Sequence, residues 1–464
     1  MSTNGKNSKK KDPQTLEGHY VPKEKYAPLT LNEQFNKRVF RYQYTLGHMN
    51  TFISLILEAL SIRSIKRILS FFESLLPTQL KKIPSWYSGR LWLLKLGYYK
   101  LIHATVHSDE WIWVIDHATQ WGVQKCFVVL GIKVSQIPVD RALKLSDVKV
   151  LMVSPGKTSN GNIVLKKLES LALEIGVPRA VIADAGSDIK SGIEQFCRLT
   201  RGTVYLYDIK HMVANLLKSE FEKDKAWNDF LDLATKTRKF IQQSAIAGLA
   251  PPSLRIKARF MNLAPLIAWG VKTLNRLDSD QYPKTVDVRQ AEIKLGWLPF
   301  FREDLLSWNR ILNKAVMAEK IVREAGYHIG VTSQVDQKLN FTDTCPRSKS
   351  FQAKMIDAIF RQESKLKLND HFISSSEILE SLFGKYKYLQ SQQAKSGFTV
   401  SVLALSAMTG ETTPEIIQRA MASTTVKQVN NWGAENIGVS VQAQRTAWIA
   451  NEQKEQKRDE KVAA

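Results

Sequence analysis

Three carboxylates stand where the pattern of this chain changes. Asp116 closes the apolar, aromatic-rich run Trp111 to Ile115 (WIWVI). Asp184 ends a second such run inside VIADAGSD, Val181 to Asp188, where Gly186 permits a turn out of a strand. Glu380 opens ESLFGKYK, an amphipathic helical pattern that places Lys385 and Lys387 downstream. A carboxylate at the end of WIWVI is costly if it is buried without a partner. Acids at strand mouths, in a chain of net charge +22, point to a metal site acting on phosphates. Each acid has a plainer reading beside it. Asp116 could cap a strand end. Asp188 follows Asp184 closely and reads as the N-cap of the next helix. Glu377 shares a helical face with Glu380, although Glu380 has the better spacing to the aromatic and lysine residues that follow. Asp208 and His211 end a further strand and either lie near the acids or cap a helix.

The elements that must position these residues are legible in the periodicity. WIWVI (111–115), KCFVVLGI (125–132) and VKVLMVS (148–154) read as three consecutive strands. A helix over 164–175 follows, with apolar residues at Val164, Leu165, Leu168, Leu171 and Ala172, and Pro178 lies beyond its end. Then come strand 181–184, helix 188–199 and strand 203–207. Three strands before the first helix exclude a doubly wound dinucleotide fold. Gly131, Gly156 and Gly161 form neither GxGxxG nor a P-loop. Residues 210–366 read as mostly helix, with an irregular interruption from Gly326 to Asp343. The block from 372 onward is again helical, with Pro414 in a first turn.

This order of strands and helices, with one acid on the first strand and another just past the fourth, resembles the ribonuclease-H-like core of the DDE transposases. DAGSD is similar to that superfamily's second-aspartate motif, and SEILESLFGKYK to its third-acid helix. The resemblance covers roughly Glu110 to His211 and resumes at Ser374 to Lys387; YDIKHMVANLLK and PPSLRIKARFMN also resemble bacterial insertion-sequence transposases. It implies an α/β core of mixed sheet flanked by helices, with mainly α N-terminal, insertion and C-terminal regions. Asp116 and Asp184 lie 68 residues apart, and Asp184 and Glu380 lie 196 apart. The second interval exceeds one helix and one strand, so the resemblance implies an α-helical insertion over 216–370. The implied chemistry is cleavage of element ends and joining to target DNA. Asp116, Asp184 and Glu380 would hold two Mg²⁺ ions, or Mn²⁺, through hard oxygen ligands. Bridging two element ends implies a homo-oligomer.

Composition agrees with a polyanionic partner. The pI is about 9.7, and residues 1–100 hold 17 Lys and Arg against 6 Asp and Glu, half of the net charge. Residues 1–30 are polar and basic, with Lys9 to Lys11, and read as a disordered tail. Residues 31–105 read as a helix-turn-helix-like DNA-binding region breaking near Ser61. Arg63, Lys66 and Arg67 form the basic face of one helix. A second helix, started by Pro84 and Ser85 and stopped by Gly97, presents Ser88, Arg90 and Lys95, with Trp92 and Leu93 inward. Lys385 and Lys387 are candidates for terminal phosphates. Trp269 and Trp297 either stack on a flipped base or fill a core. Cys126, Cys197 and Cys345 lack metal-ligand spacing, and no signal peptide or apolar run of roughly 18 residues is visible. The expectation is therefore a cytoplasmic, nucleoid-associated protein with no membrane contact. Two rivals remain: a transposase-derived DNA-binding protein with an inactive core, and another ribonuclease-H-fold nuclease.

Overall fold

The computed structural model describes residues 30–39, 42–75, 82–103, 107–121, 124–253, 260, 263–279, 287–339, 343–392, 399–439, 444–453 and 455. The expected tail, including Lys9 to Lys11, lies outside them. Four helices come first: α1 (Leu31–Asn36), α2 (Leu46–Leu57), α3 (Ile62–Leu75) and α4 (Trp86–His103). The break between α2 and α3 falls where the sequence places it, with Ala59 in the left-handed region at φ 64°. Gly97 is not the stop it resembled. The helix runs through it to His103, because the missing side chain lets Leu403 approach; a Cβ there would sit 2.0 Å from the Leu403 carbonyl oxygen.

The sheet comprises β1 (Trp111–Trp121), β2 (Gln124–Lys133), β3 (Lys149–Gly156), β4 (Ala180–Ala183) and β5 (Val204–Tyr207), with α5 (Gly161–Ile175) and α6 (Ser187–Leu199) as crossovers. Its order is β3-β2-β1-β4-β5. The first three strands are antiparallel, and β4 and β5 run parallel to β1. This mixed sheet with helices on both faces is the ribonuclease-H-like arrangement. WIWVI is apolar at every position because both faces are covered. Trp111, Trp113 and Ile115 pack with α5 and α6, while Ile112 and Val114 belong to the larger core on the other face.

A helical layer follows β5: α7 (Ile209–Phe221), α8 (Lys225–Ile241), α9 (Ala264–Ser279), α10 (Val288–Leu295) and α11 (Arg302–Ala325). The interval expected to be irregular contains β6 (Tyr327–His328) and α12 (Val331–Leu339). After α13 (Pro346–Glu363), β7 (His371–Phe372) pairs antiparallel with β6. That small ribbon returns the chain to the sheet, where α14 (Glu377–Ser391) packs on β1. The chain then forms α15 (Ala404–Ala407), α16 (Pro414–Ser423) and α17 (Val426–Asn436). One continuous buried core links α2–α4, one face of the sheet and the helical layer. Among the described residues, no helix is long and apolar enough to cross a membrane.

Candidate metal centre

Register decides where the acids stand. Ile115 on β1 is level with Ala183 on β4, and Ala183 is level with Tyr207 on β5. The next residues along these parallel strands are Asp116, Asp184 and Asp208. Alternation turns Asp116 to the face of Ile112 and Val114, the face covered by α14. Strand β1 does not end at Asp116 as the sequence implied. It continues to Trp121 because β2 still pairs with it, Asp116 opposite Val128, after β4 has stopped. Asp116 thus has a sheet partner on one side and an opening on the other.

The charges of Asp184 and Glu380 both reach Asp116. Burial pushes the Asp116 carboxyl up to about 7, and the charges of Asp184 and Glu380 push the same way. The backbone N–H of His117, donating to Asp116 Oδ1 at 2.6 Å, opposes this, as does the charge of His211. Asp184 is held by the Gly186 N–H, which donates to its Oδ1 at 3.0 Å. The Tyr205 hydroxyl donates to the Asp184 backbone oxygen at 2.8 Å.

Glu380 lies exposed in the first turn of α14, its Oε2 2.8 Å from Lys210 Nζ. Glu377 is tied to Arg323 at 3.2 Å and to Lys210 at 3.7 Å. Both glutamates share Lys210, but of the two it is Glu380 whose charge acts on Asp116. Lys210 was missed in the sequence, although it sits between the singled-out Asp208 and His211. Its ammonium pairs with Glu380 and, at longer range, with Glu377.

Asp208 resolves as a cap and a clamp. It is 1% exposed and accepts from the His211 N–H at 2.8 Å, starting α7. It also accepts from the Ser376 hydroxyl at 2.8 Å and from the Ser376 N–H. Ser376 is the N-cap of α14, so Asp208 fixes the helix that carries Glu380. Burial alone would raise its pKa, but the hydrogen bond and charge of His211 and the Ser376 N–H hold it below the usual range. His211 is half-buried and shifted upward: burial pulls it down, and the bond to Asp208 outweighs that. Asp188 is not the N-cap of α6, which is Gly186. It accepts instead from His117 Nε2 at 3.0 Å, on the opposite side of β1 from Asp116.

The other candidates separate by exposure. Arg63, Lys66 and Arg67 are exposed on α3, and Lys385 and Lys387 on α14. Ser88 and Arg90 are partly covered, and burial lowers the Arg90 pKa. Lys95 departs from its expected place. It is buried beside the Tyr42 hydroxyl, because α4 is a core helix with Trp92, Leu93, Leu94 and Leu96 packed around it. Trp269 and Trp297 are packed in the helical layer, donating to the Leu249 carbonyl and the Thr237 hydroxyl, each at 2.9 Å. A cleft of about 790 Å³ flanks Glu377 and is lined in part by Lys144, Arg323 and Lys385.

The donor chemistry suits a hard divalent cation: carboxylate oxygens, two of them on adjacent strand ends. Among the described residues, however, no three His, Cys, Asp or Glu side chains are drawn together into a ready-made metal cage. Asp116 and Asp184 stand at adjacent strand ends, and Glu380, exposed on α14, is paired with Lys210.

No protein-family model matches the chain, and no curated protein matches its sequence. Among solved structures, the chain is similar to "Drosophila P element transposase strand transfer complex", with a TM-score of 0.37 and 11% identity. That alignment covers 83% of this chain and 93% of the other.

Proposed function

We propose that this chain is a DDE-type DNA transposase whose acids Asp116, Asp184 and Glu380 hold two Mg²⁺ ions. The observation that carries the reading is the adjacent placement of Asp116 and Asp184 at paired strand ends, with Glu380 among the charges acting on Asp116. Bound divalent ions would supply an activated water or 3′-hydroxyl and stabilise the leaving oxygen of an in-line phosphoryl displacement. Asp116 and Asp184 contribute rigid oxygens fixed by the sheet. Glu380 contributes an oxygen from a helix whose start is clamped by Asp208. Lys144 and Lys385, which line the cleft beside Glu377, and Lys210, paired with Glu380, would meet the phosphates of the bound DNA. The substrate would be duplex DNA carrying the element's terminal inverted repeats, with target DNA as second partner and a homo-oligomer bridging the ends. Such work would be done in the cytoplasm, at the nucleoid.

A second reading has its own observation. Glu380 is paired with Lys210, and an ammonium in place of a metal suits an inactive, transposase-derived DNA-binding protein. Cleavage of DNA bearing the element ends, in Mg²⁺ or Mn²⁺, separates the two. The proposal expects metal-dependent cutting by the wild type and none by Asp184→Ala, with DNA binding retained. Tight binding without cutting by either protein would support the inactive form.

A further inference from the structure

The start of α4 carries aromatic side chains that the core does not use. Trp86 and Tyr87 are 42% and 52% exposed, with their rings edge-on at 5.9 Å. The Arg63 guanidinium lies over the Trp86 ring, 5.4 Å from its centroid. Arg63, Lys66 and Arg67 are exposed at helical spacing on α3, and Phe71, one turn beyond Arg67, is 59% exposed. Two rings and a guanidinium thus stand side by side in solvent, with further exposed cations along the helix that carries Arg63. Large rings left in water beside such cations call for a partner that is apolar on its faces and negatively charged along its length.

An unpaired polynucleotide has that chemistry. Its bases present free faces for stacking, and its phosphates meet Arg63, Lys66 and Arg67. Duplex DNA offers the phosphates but hides the base faces inside its stack. A second copy of the chain would set like charge against like, since the first 100 residues carry 17 basic against 6 acidic residues. We propose that Trp86, Tyr87 and Arg63 form a stacking site for unpaired DNA. The choice of DNA over RNA rests on the transposase reading, in which strand ends are freed. The stacking geometry does not depend on it.

The test measures anisotropy of a labelled short oligothymidylate, the matching oligouridylate and a blunt duplex, across a salt series, with the full chain. Trp86→Ala should weaken oligothymidylate binding about tenfold, the scale of one lost base stack, and leave duplex binding within about twofold. Trp86→Phe, which keeps a ring, should recover most of the loss. Phe300→Ala, at a ring 86% exposed elsewhere, should change nothing. Circular dichroism of each variant checks that the fold is kept. Equal losses on duplex and oligothymidylate, no loss at all, or tighter binding of oligouridylate would overturn the proposal. So would a fall in sedimentation mass for Trp86→Ala with oligothymidylate binding intact, which would give the patch to a second copy. The outcome is separable from the catalytic reading, because Asp184→Ala leaves this surface untouched.

Discussion

Asp208→Asn would leave the Ser376 and His211 donors facing an amide in place of a carboxylate, at a position only 1% exposed. Unfolding in urea should show a loss of about 2–4 kcal/mol, the scale for removing one partner of a buried charged network. The pH dependence has a fixed sign. A depressed Asp208 pKa gives stability that is present above the unfolded carboxylate value and lost as pH falls through the folded one. The raised His211 pKa gives stability that is complete below the ordinary value of 6.5 and lost as pH climbs through the folded value. Wild type should therefore soften on the alkaline side of 6.5 more than His211→Asn does, measured as the urea midpoint against pH. Cysteine chemistry makes a second check at this scale. Burial pushes Cys126 up to about 12 and Cys197 to about 11. Burial also raises Cys345, but the Ser307 hydroxyl and the N–H groups of Ser348 and Arg347 outweigh it and lower its pKa. Peptide mapping after brief iodoacetamide treatment should find Cys345 labelled first and Cys126 last.

At the scale of elements, α4 is the helix whose contacts differ most from its sequence pattern. Gly97→Ala would drive a Cβ into the Leu403 carbonyl, and backbone cannot swing aside as a side chain can. We expect a loss of at least about 1–3 kcal/mol in chemical unfolding, by overpacking, where an open helix glycine would gain from alanine. The same contact explains what the sequence concealed. A glycine ahead of aromatic residues carries the local mark of a helix end, and only the distant segment at Leu403 reveals it as a close approach. Lys95 was hidden likewise: its charge signals solvent, while the neighbours that bury it are set by packing of the whole helix. The order of strands and crossover helices along the chain was legible, because apolar runs and glycine turns are local; the end of β1 was not, since only its pairing with β2 carries it past Asp116. Lys210 was not, since its partner Glu380 lies 170 residues away. Asp188 was misread because an acid near a helix start looks the same whether it caps the helix or reaches across to His117.

For the whole molecule, a net charge of +22 would make salt the main control on the proposed association with DNA. Binding to a nonspecific duplex should weaken steeply with salt. Lys66→Ala should lower affinity across sequences alike and reduce the slope of log K against log salt by about one. The buried core that joins α2–α4 to the sheet would then carry a docked duplex's position to the acids. In the proposed site, Asp116, Asp184 and Glu380 share a metal. The most direct measurement of this is a Mn²⁺ titration followed by electron paramagnetic resonance, comparing wild type with Asp116→Asn, Asp184→Asn and Glu380→Gln. Mn²⁺ should bind saturably, and each substitution should weaken it at least about tenfold, roughly 1.4 kcal/mol. Saturable binding that survives all three substitutions unchanged, or none in wild type with DNA present, would contradict a shared metal.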